Sequence, residues 1–289
     1  MKKNIFTFAL FFSICTCLFS SCGKKSDAQA NENETDSLTT IVDQKIETDT
    51  GIKKITFEIL ADSGGVQLVK GEKESPVASF ASQILVVTEV PQQSNLDSIQ
   101  AILQRQQKYE GDAKEALAKK KKEYFDFYID ANSDEVVGLS AEWYQHEQIQ
   151  VLYNDNYFVS ILFYGDEYGG GAGSYDYASY LVLDLKNNKK ITLSDLFDEE
   201  GISKIQKGIL NKALQYAKEQ GSTSLEEHGY FMESLKPTED FVITEKGIEF
   251  TYGRGEILPR VNIPPVFLFS WAELKDILKT DSSVRSLIK

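Results

Sequence analysis

Cysteine and histidine are scarce in this chain of 289 residues, and each shortage removes a class of function. The three cysteines, Cys15, Cys17 and Cys22, all fall within the first 22 residues. The body of the chain therefore has no thiols to pair, and its fold must hold through its core alone. The two histidines, His146 and His228, are far apart and lack a partner motif. A zinc deacetylase or protease needs clustered ligands such as paired histidines with a carboxylate. A serine-hydrolase elbow is missing as well, because Gly173-Ser174-Tyr175 has no second glycine. Glycosidases need only two carboxylates, but no pair stands out among the many acids here. Basic side chains are outnumbered, 31 against 44 acidic ones, for a formal charge of −13. Such a surface repels phosphate and argues against nucleic acid as a partner. The chain is expected to be non-catalytic, with no cofactor and no metal.

What is present begins with the leader. Lys2 and Lys3 precede an apolar run over 5–19, broken only by Thr7, Ser13 and Thr16 and too short for a comfortable membrane span. Phe19-Ser20-Ser21-Cys22 resembles the bacterial lipobox, with phenylalanine where leucine is commoner. The expectation is a signal peptide over 1–21 and a lipidated Cys22 as mature N-terminus. Several acyl chains, at roughly 0.8 kcal/mol per buried methylene, make release from the membrane negligible. Residues 22–50 are polar and read as a flexible tether. The expected address is a bacterial cell envelope, on the outer membrane or cell surface. Cleavage removes two lysines, leaving 29 basic against 44 acidic side chains and a formal charge of −15. That charge favours cationic partners within about 8 Å at physiological salt, though by count alone plain solubility is the better account.

Folded structure is expected from residue 52. Alternation at Ile55, Phe57 and Ile59 predicts a strand, and 77–90 a second, stopped by Pro91. Leu96, Ile99, Ile102 and Leu103 mark a helix capped at Ser94 or Asn95; Gly111 interrupts before Ala113, Ala116 and Leu117 resume. Lys119 to Lys122 reads as a solvated helix face. Strands follow over 148–153, 157–164, 178–185 and 191–193, with turns at Asn154-Asp155-Asn156 and Asn187-Asn188. Residues 202–220 keep helical spacing up to Gly221. A hairpin is expected about Glu245-Lys246, and Ser270 with Glu273 forms a capping box opening a helix through Trp271, Leu274, Ile277 and Leu278. The fold class is α+β: a largely antiparallel sheet with a few packed helices, in two linked subdomains over 51–170 and 171–280, with a tail over 281–289.

A family resemblance rests on an ordered set of segments. They are Tyr168-Gly169-Gly170-Gly171-Ala172-Gly173, Ser179 to Leu185, Ile191-Thr192-Leu193-Ser194-Asp195-Leu196-Phe197, Phe241 to Thr244 and Gly247 to Phe250, then Tyr252 and Glu256-Ile257. Together they resemble the extracellular part of RsiV-type anti-sigma factors, built from two linked domains of unknown function (3298 and its companion 4163). The resemblance implies binding of lysozyme outside the cell. Relatives beside polysaccharide deacetylases imply an alternative, a peptidoglycan-binding or accessory module. Ser174 stands where family members often carry histidine, and Arg254, Arg260 and Asn262 replace small and aromatic residues. No cytoplasmic sigma-binding segment is seen, so sigma-factor control does not carry over.

The glycine-rich segment 165–177 is expected to be a hairpin tip. Flanking strands and internal acids argue against a phosphate cradle. Tyrosine with glycine and serine is the composition of adaptable binding loops. The candidate ligand-binding residues are therefore Asp166, Glu167, Tyr168, Tyr175, Asp176 and Tyr177. Asp195, Asp198, Glu199 and Glu200 are acids at a helix start, where the helix dipole explains them better than calcium does.

Overall fold

The computed structural model describes residues 53–133 and 142–288. The expected signal peptide, Cys22 and the tether lie outside the described residues, as does the expected start at residue 52. Nine strands and six helices make a mixed α+β architecture among the described residues. A six-stranded sheet contains β1 (Thr56–Gln67), β2 (Val77–Glu89), β3 (Trp143–Asp155), β4 (Phe158–Tyr168), β5 (Tyr175–Asp184) and β6 (Lys189–Lys190), in that spatial order. All pairs are antiparallel except β2 with β3. A parallel neighbour demands a long crossover, here carried by α1 (Leu96–Gln107) and α2 (Ala113–Asn132).

Each connection has a local cause. Lys108 and Gly111 turn left-handed between the two helices, and the Asp112 carboxylate then accepts from the N–H groups of Lys114 and Glu115. Asn156 and Tyr157, both at positive φ, form the two-residue turn that twists with β3 and β4. β2 and β3 pair only over four residues and then diverge. α1 fills the wedge, and its glutamines complete the open strand edge. Gln107 accepts from the Leu85 N–H (2.7 Å) and donates to the Leu85 carbonyl, while Gln100 accepts from the Val87 N–H (2.9 Å).

Beyond β6 come α3 (Leu193–Leu196), α4 (Glu199–Glu219) and α5 (Leu225–His228). A three-stranded antiparallel sheet follows, of β7 (Phe241–Ile243), β8 (Gly247–Phe250) and β9 (Phe267–Ser270), with α6 (Trp271–Leu274) behind it. α4 begins at Asp198, whose carboxylate accepts from the Gly201 N–H. It ends at Gly221, φ +91°, where the N–H groups of Ser222 and Gly221 bond the carbonyls of Ala217 and Lys218. Its stripe of Ile205, Ile209, Ala213 and Ala217 is fully buried against Phe241, Ile243, Ile248, Phe250 and Phe269.

β4 and β5 are covered on both faces. Phe158 and Val182 join the core of the second sheet, while Val159, Ile161, Leu181 and Leu183 pack with Ile99 and Leu103 of α1. That is why 158–163 is apolar on both faces, broken only by Ser160, rather than alternating. Ser160 is fully buried between the sheets: its hydroxyl donates to the Ile243 carbonyl (2.9 Å) and accepts from the Ile243 N–H (3.0 Å).

Several expectations change. Residues 191–193 do not form a strand; the short β6 precedes them and Leu193 opens α3. α6 stops after one turn; beyond it the Lys279 N–H goes to the Leu196 carbonyl, and Arg285 donates to the carbonyls of Lys275 and Leu278. β9 is an additional strand. Ile59 is exposed, while Leu60 packs on the opposite face of β1 against Ile84, Ala113 and Leu117, and the register of β1 shifts between Thr56 and Phe57. The expected subdomain boundary at 170/171 falls in the turn joining β4 to β5, and Val284, in the expected tail, is fully buried. Among the described residues no helix is long and apolar enough to cross a membrane.

Candidate functional site

The glycine-rich hairpin is shorter than its sequence suggests. β4 and β5 run on through Tyr168 and from Tyr175, pairing Gly165 with Tyr177, Asp166 with Asp176 and Glu167 with Tyr175. The six candidate residues are therefore strand residues, not loop residues. Strand alternation then divides them, with Asp166, Tyr168 and Asp176 on one face and Glu167, Tyr175 and Tyr177 on the other. The structure does not bring all six together.

On the second face, Tyr177 is committed to a network that the sequence did not announce. A Cβ on Gly165 would lie 2.3 Å from the Tyr177 ring, so the ring crosses β4 over bare backbone. Its hydroxyl donates to Glu147 Oε1 on β3 (2.7 Å), and Glu147 also accepts from Ser82 (2.5 Å) and pairs with Lys120 of α2. Burial pushes the Glu147 carboxyl up. The charge of Lys120 and the bonds from Lys120, Ser82 and Tyr177 outweigh it and hold the group below the usual carboxylate range. Burial, then the bond to Glu147, raises the Tyr177 hydroxyl. Lys121 likewise pairs with Asp62 (2.5 Å), so two of the four lysines at 119–122 pin α2 to the sheet. The other two pair along the helix, Lys119 with Glu123 and Lys122 with Asp126. The solvated-face expectation holds for those two alone. Tyr175 is exposed and stacks on Tyr177, with ring centroids 6.0 Å apart.

On the first face, the open end of β3–β5 gathers Tyr144, His146, Tyr164, Asp166, Tyr168 and Asp176. Asp176 is neutralised from the loop after β8: Arg260 donates to its Oδ1 (2.8 Å) and to the Ser174 carbonyl (3.0 Å), and Arg254 Nε lies 3.9 Å from Oδ2. Asp166 faces His146 Nδ1 at 3.9 Å, while His146 Nε2 lies 3.2 Å from Ser79 Oγ. The order serine, imidazole, carboxylate matches a hydrolytic triad, but the geometry does not make one. The carboxylate sits beyond hydrogen-bond reach, and Ser79 is mid-strand, paired on both sides, with its backbone amides directed along ladders rather than at an oxyanion. Tyr144 stacks on His146 at 5.1 Å and lies 6.2 Å from Tyr168, whose hydroxyl donates to the Gly171 carbonyl and closes the turn.

Arg260 also anchors an unusual surface. Val261, Ile263 and Val266 on its loop are 89, 69 and 53 % exposed. The Phe231 N–H bonds the Ile257 carbonyl, setting exposed Phe231 and Met232 beside the start of that loop. Sequence reading registered Arg254 and Arg260 only as departures and missed the apolar residues. Three branched apolar side chains around Pro264-Pro265, with no strand or helix period, were the available signal.

The acids at the start of α4 serve as caps and ion pairs. Asp198 caps the helix, Glu200 pairs with Lys204 (2.7 Å), and Asp195 accepts from the Thr192 N–H and pairs with Lys189 (2.5 Å). Among the described residues no three metal-ligating side chains cluster. His228 packs between Tyr216 and Tyr230, with Nδ1 3.1 Å from Ser222 Oγ.

Comparison with known proteins adds the following. Residues 194–272 match the family described as "Protein of unknown function (DUF3298)". No curated protein matches the chain. A solved structure of a DUF3298 family member from Bacteroides fragilis is similar at TM-score 0.67 and 18 % identity, covering 81 % of this chain and 97 % of its own. A DUF3298 family protein from Pseudomonas aeruginosa is similar at TM-score 0.53 and 13 % identity, covering 79 % and 97 %. Residues 194–272 thus match the DUF3298 family model, within a chain whose α+β fold is similar to that of two solved proteins of that family.

Proposed function

We propose that this chain is a non-catalytic, lipid-anchored envelope protein that binds a basic protein outside the cytoplasm, with lysozyme the candidate named by the RsiV-type resemblance. The observation that carries this reading is the exposed apolar segment Val261, Ile263 and Val266, held against the end of the β4–β5 hairpin by Arg260. Exposed apolar clusters rimmed by polar groups mark sites of protein association. The hairpin adds exposed Tyr175 and the carboxylate of Glu167, and the net charge of −13 supplies attraction to a cationic partner. Cys22, if acylated, would hold this surface at a membrane.

The test is calorimetric titration of lysozyme into the full chain, purified from the membrane fraction of cells fed labelled palmitate, at physiological salt. Saturable heat that weakens as salt rises is expected, together with label that a Cys22→Ser variant lacks. Absence of heat at tens of micromolar protein would remove lysozyme as the partner. Absence of label would remove the anchor.

A further inference from the structure

We propose that Asp166, framed by Tyr144, Tyr164 and Tyr168, is the receptor site for a single arginine side chain of the bound protein. The inference deepens the binding reading above and rests on it for the nature of the partner. It starts from a charge imbalance. Asp166 stands directly opposite Asp176 on the neighbouring strand, an arrangement that disfavours the sheet because like charges face each other. Two arginines relieve Asp176, one at 2.8 Å and one at 3.9 Å. Neither forms an ion pair with Asp166, which among the described residues pairs only with the His146 imidazole, at 3.9 Å. That imidazole already engages Ser79 through its other nitrogen. Asp166 therefore remains an incompletely compensated carboxylate.

Its surroundings select the missing cation. Tyr164 and Tyr168 lie two residues to either side on the same face of β4, and Tyr144 pairs with Tyr168 across the sheet. The Tyr164 hydroxyl stays protonated: burial raises it first, and the charges of Asp166 and Asp176 push the same way against Arg254. The Tyr164 ring thus stays neutral and, with Tyr144 and Tyr168 on the same face, sets aromatic rings about a carboxylate. A guanidinium is planar, stacks on such rings and donates two parallel bonds to a carboxylate, which an ammonium does not. The site is reachable, since Asp166, His146 and Tyr164 are 35, 39 and 37 % exposed. It also lies on the same hairpin end as Arg260 and its apolar loop, so one partner reaches both.

The experiment titrates Nα-acetyl-arginine amide into the full chain carrying ¹³C-labelled tyrosine, with the uncharged citrulline amide as the control ligand. Saturable shifts of the Tyr144, Tyr164 and Tyr168 ring resonances are expected with arginine amide on the order of millimolar, and not with citrulline amide. Asp166→Asn should abolish them. Glu226→Gln, which removes the same charge at an exposed position on α5, should leave them within about twofold. Asp166→Asn should melt no lower than the parent, because it relieves the repulsion with Asp176, so loss of binding is not loss of fold. Shifts that are absent, that citrulline amide reproduces, or that both variants lose equally would overturn the site. No protein partner enters this readout. Failed lysozyme binding with intact arginine shifts refutes the partner alone, and the converse refutes the site alone.

Discussion

Gly165 shows how a single residue sets the inner face of the hairpin. Its missing side chain lets the Tyr177 ring cross β4 and reach Glu147, which in turn gathers Ser82 and Lys120. Gly165→Ala places a methyl carbon 2.3 Å from that ring, so the ring must leave and its bond to Glu147 is lost. Denaturant titration is expected to show a loss of about 1–3 kcal/mol, the range for overpacking a filled interior. An unchanged midpoint would mean that the ring relocates freely. In the sequence this glycine looked like the first residue of a flexible loop. Its strand position was hidden because the residues that extend β4, Asp166, Glu167 and Tyr168, are polar or amphipathic rather than apolar.

At the scale of the element, helices were more legible than strands. α4 announced its stripe, its acidic start and its glycine stop, all within one segment. The helix periods at 96–103 and 113–117 became α1 and α2. The ends of β3, β4 and β5 were less legible, because Tyr144 to Gln148 alternate among aromatic and polar residues that no apolar pattern marks. α1 shows what local reading omits. Its Gln107 and Gln100 serve as a substitute strand for the edge of β2 where β3 departs. Gln107→Ala leaves the Leu85 N–H and carbonyl without their partner. It is expected to cost about 1–3 kcal/mol in chemical denaturation, the penalty for an unsatisfied buried polar group. Gln104→Ala, which loses an exposed bond to the Gly111 carbonyl and one to the Tyr109 hydroxyl but none to a strand, serves as the control and should cost far less. Equal effects would deny Gln107 this role.

Across the whole molecule, the two sheets share one core, with Phe158 and Val182 of the large sheet packed among residues of α4 and the small one. Ser160 ties them by two hydrogen bonds to the backbone of Ile243. A shared core predicts a single unfolding transition rather than two. The only two tryptophans report it independently, Trp143 beginning β3 and Trp271 beginning α6. Single-tryptophan variants should therefore melt at the same midpoint. Ser160→Ala should lower both midpoints together, by about 2–3 kcal/mol in stability, since a buried N–H and carbonyl each lose a partner. Midpoints that separate would mean that the sheets fold as independent units.

What the sequence by itself determined is everything written within a few consecutive residues: the α+β class, the caps and stop of α4, the turn at Asn156, and a body without disulfides. Each follows from a period, a cap or a missing atom type that short-range sterics and hydrogen bonding can read. Only the tertiary structure decided which face each hairpin residue joins and which carboxylate is compensated. Register turns Asp166 and Glu167 to opposite sides of the sheet, and a loop 84 residues away delivers Arg260 to Asp176. Those outcomes depend on pairing between distant segments, where a shift of one residue would reverse every face, and no local pattern encodes that choice.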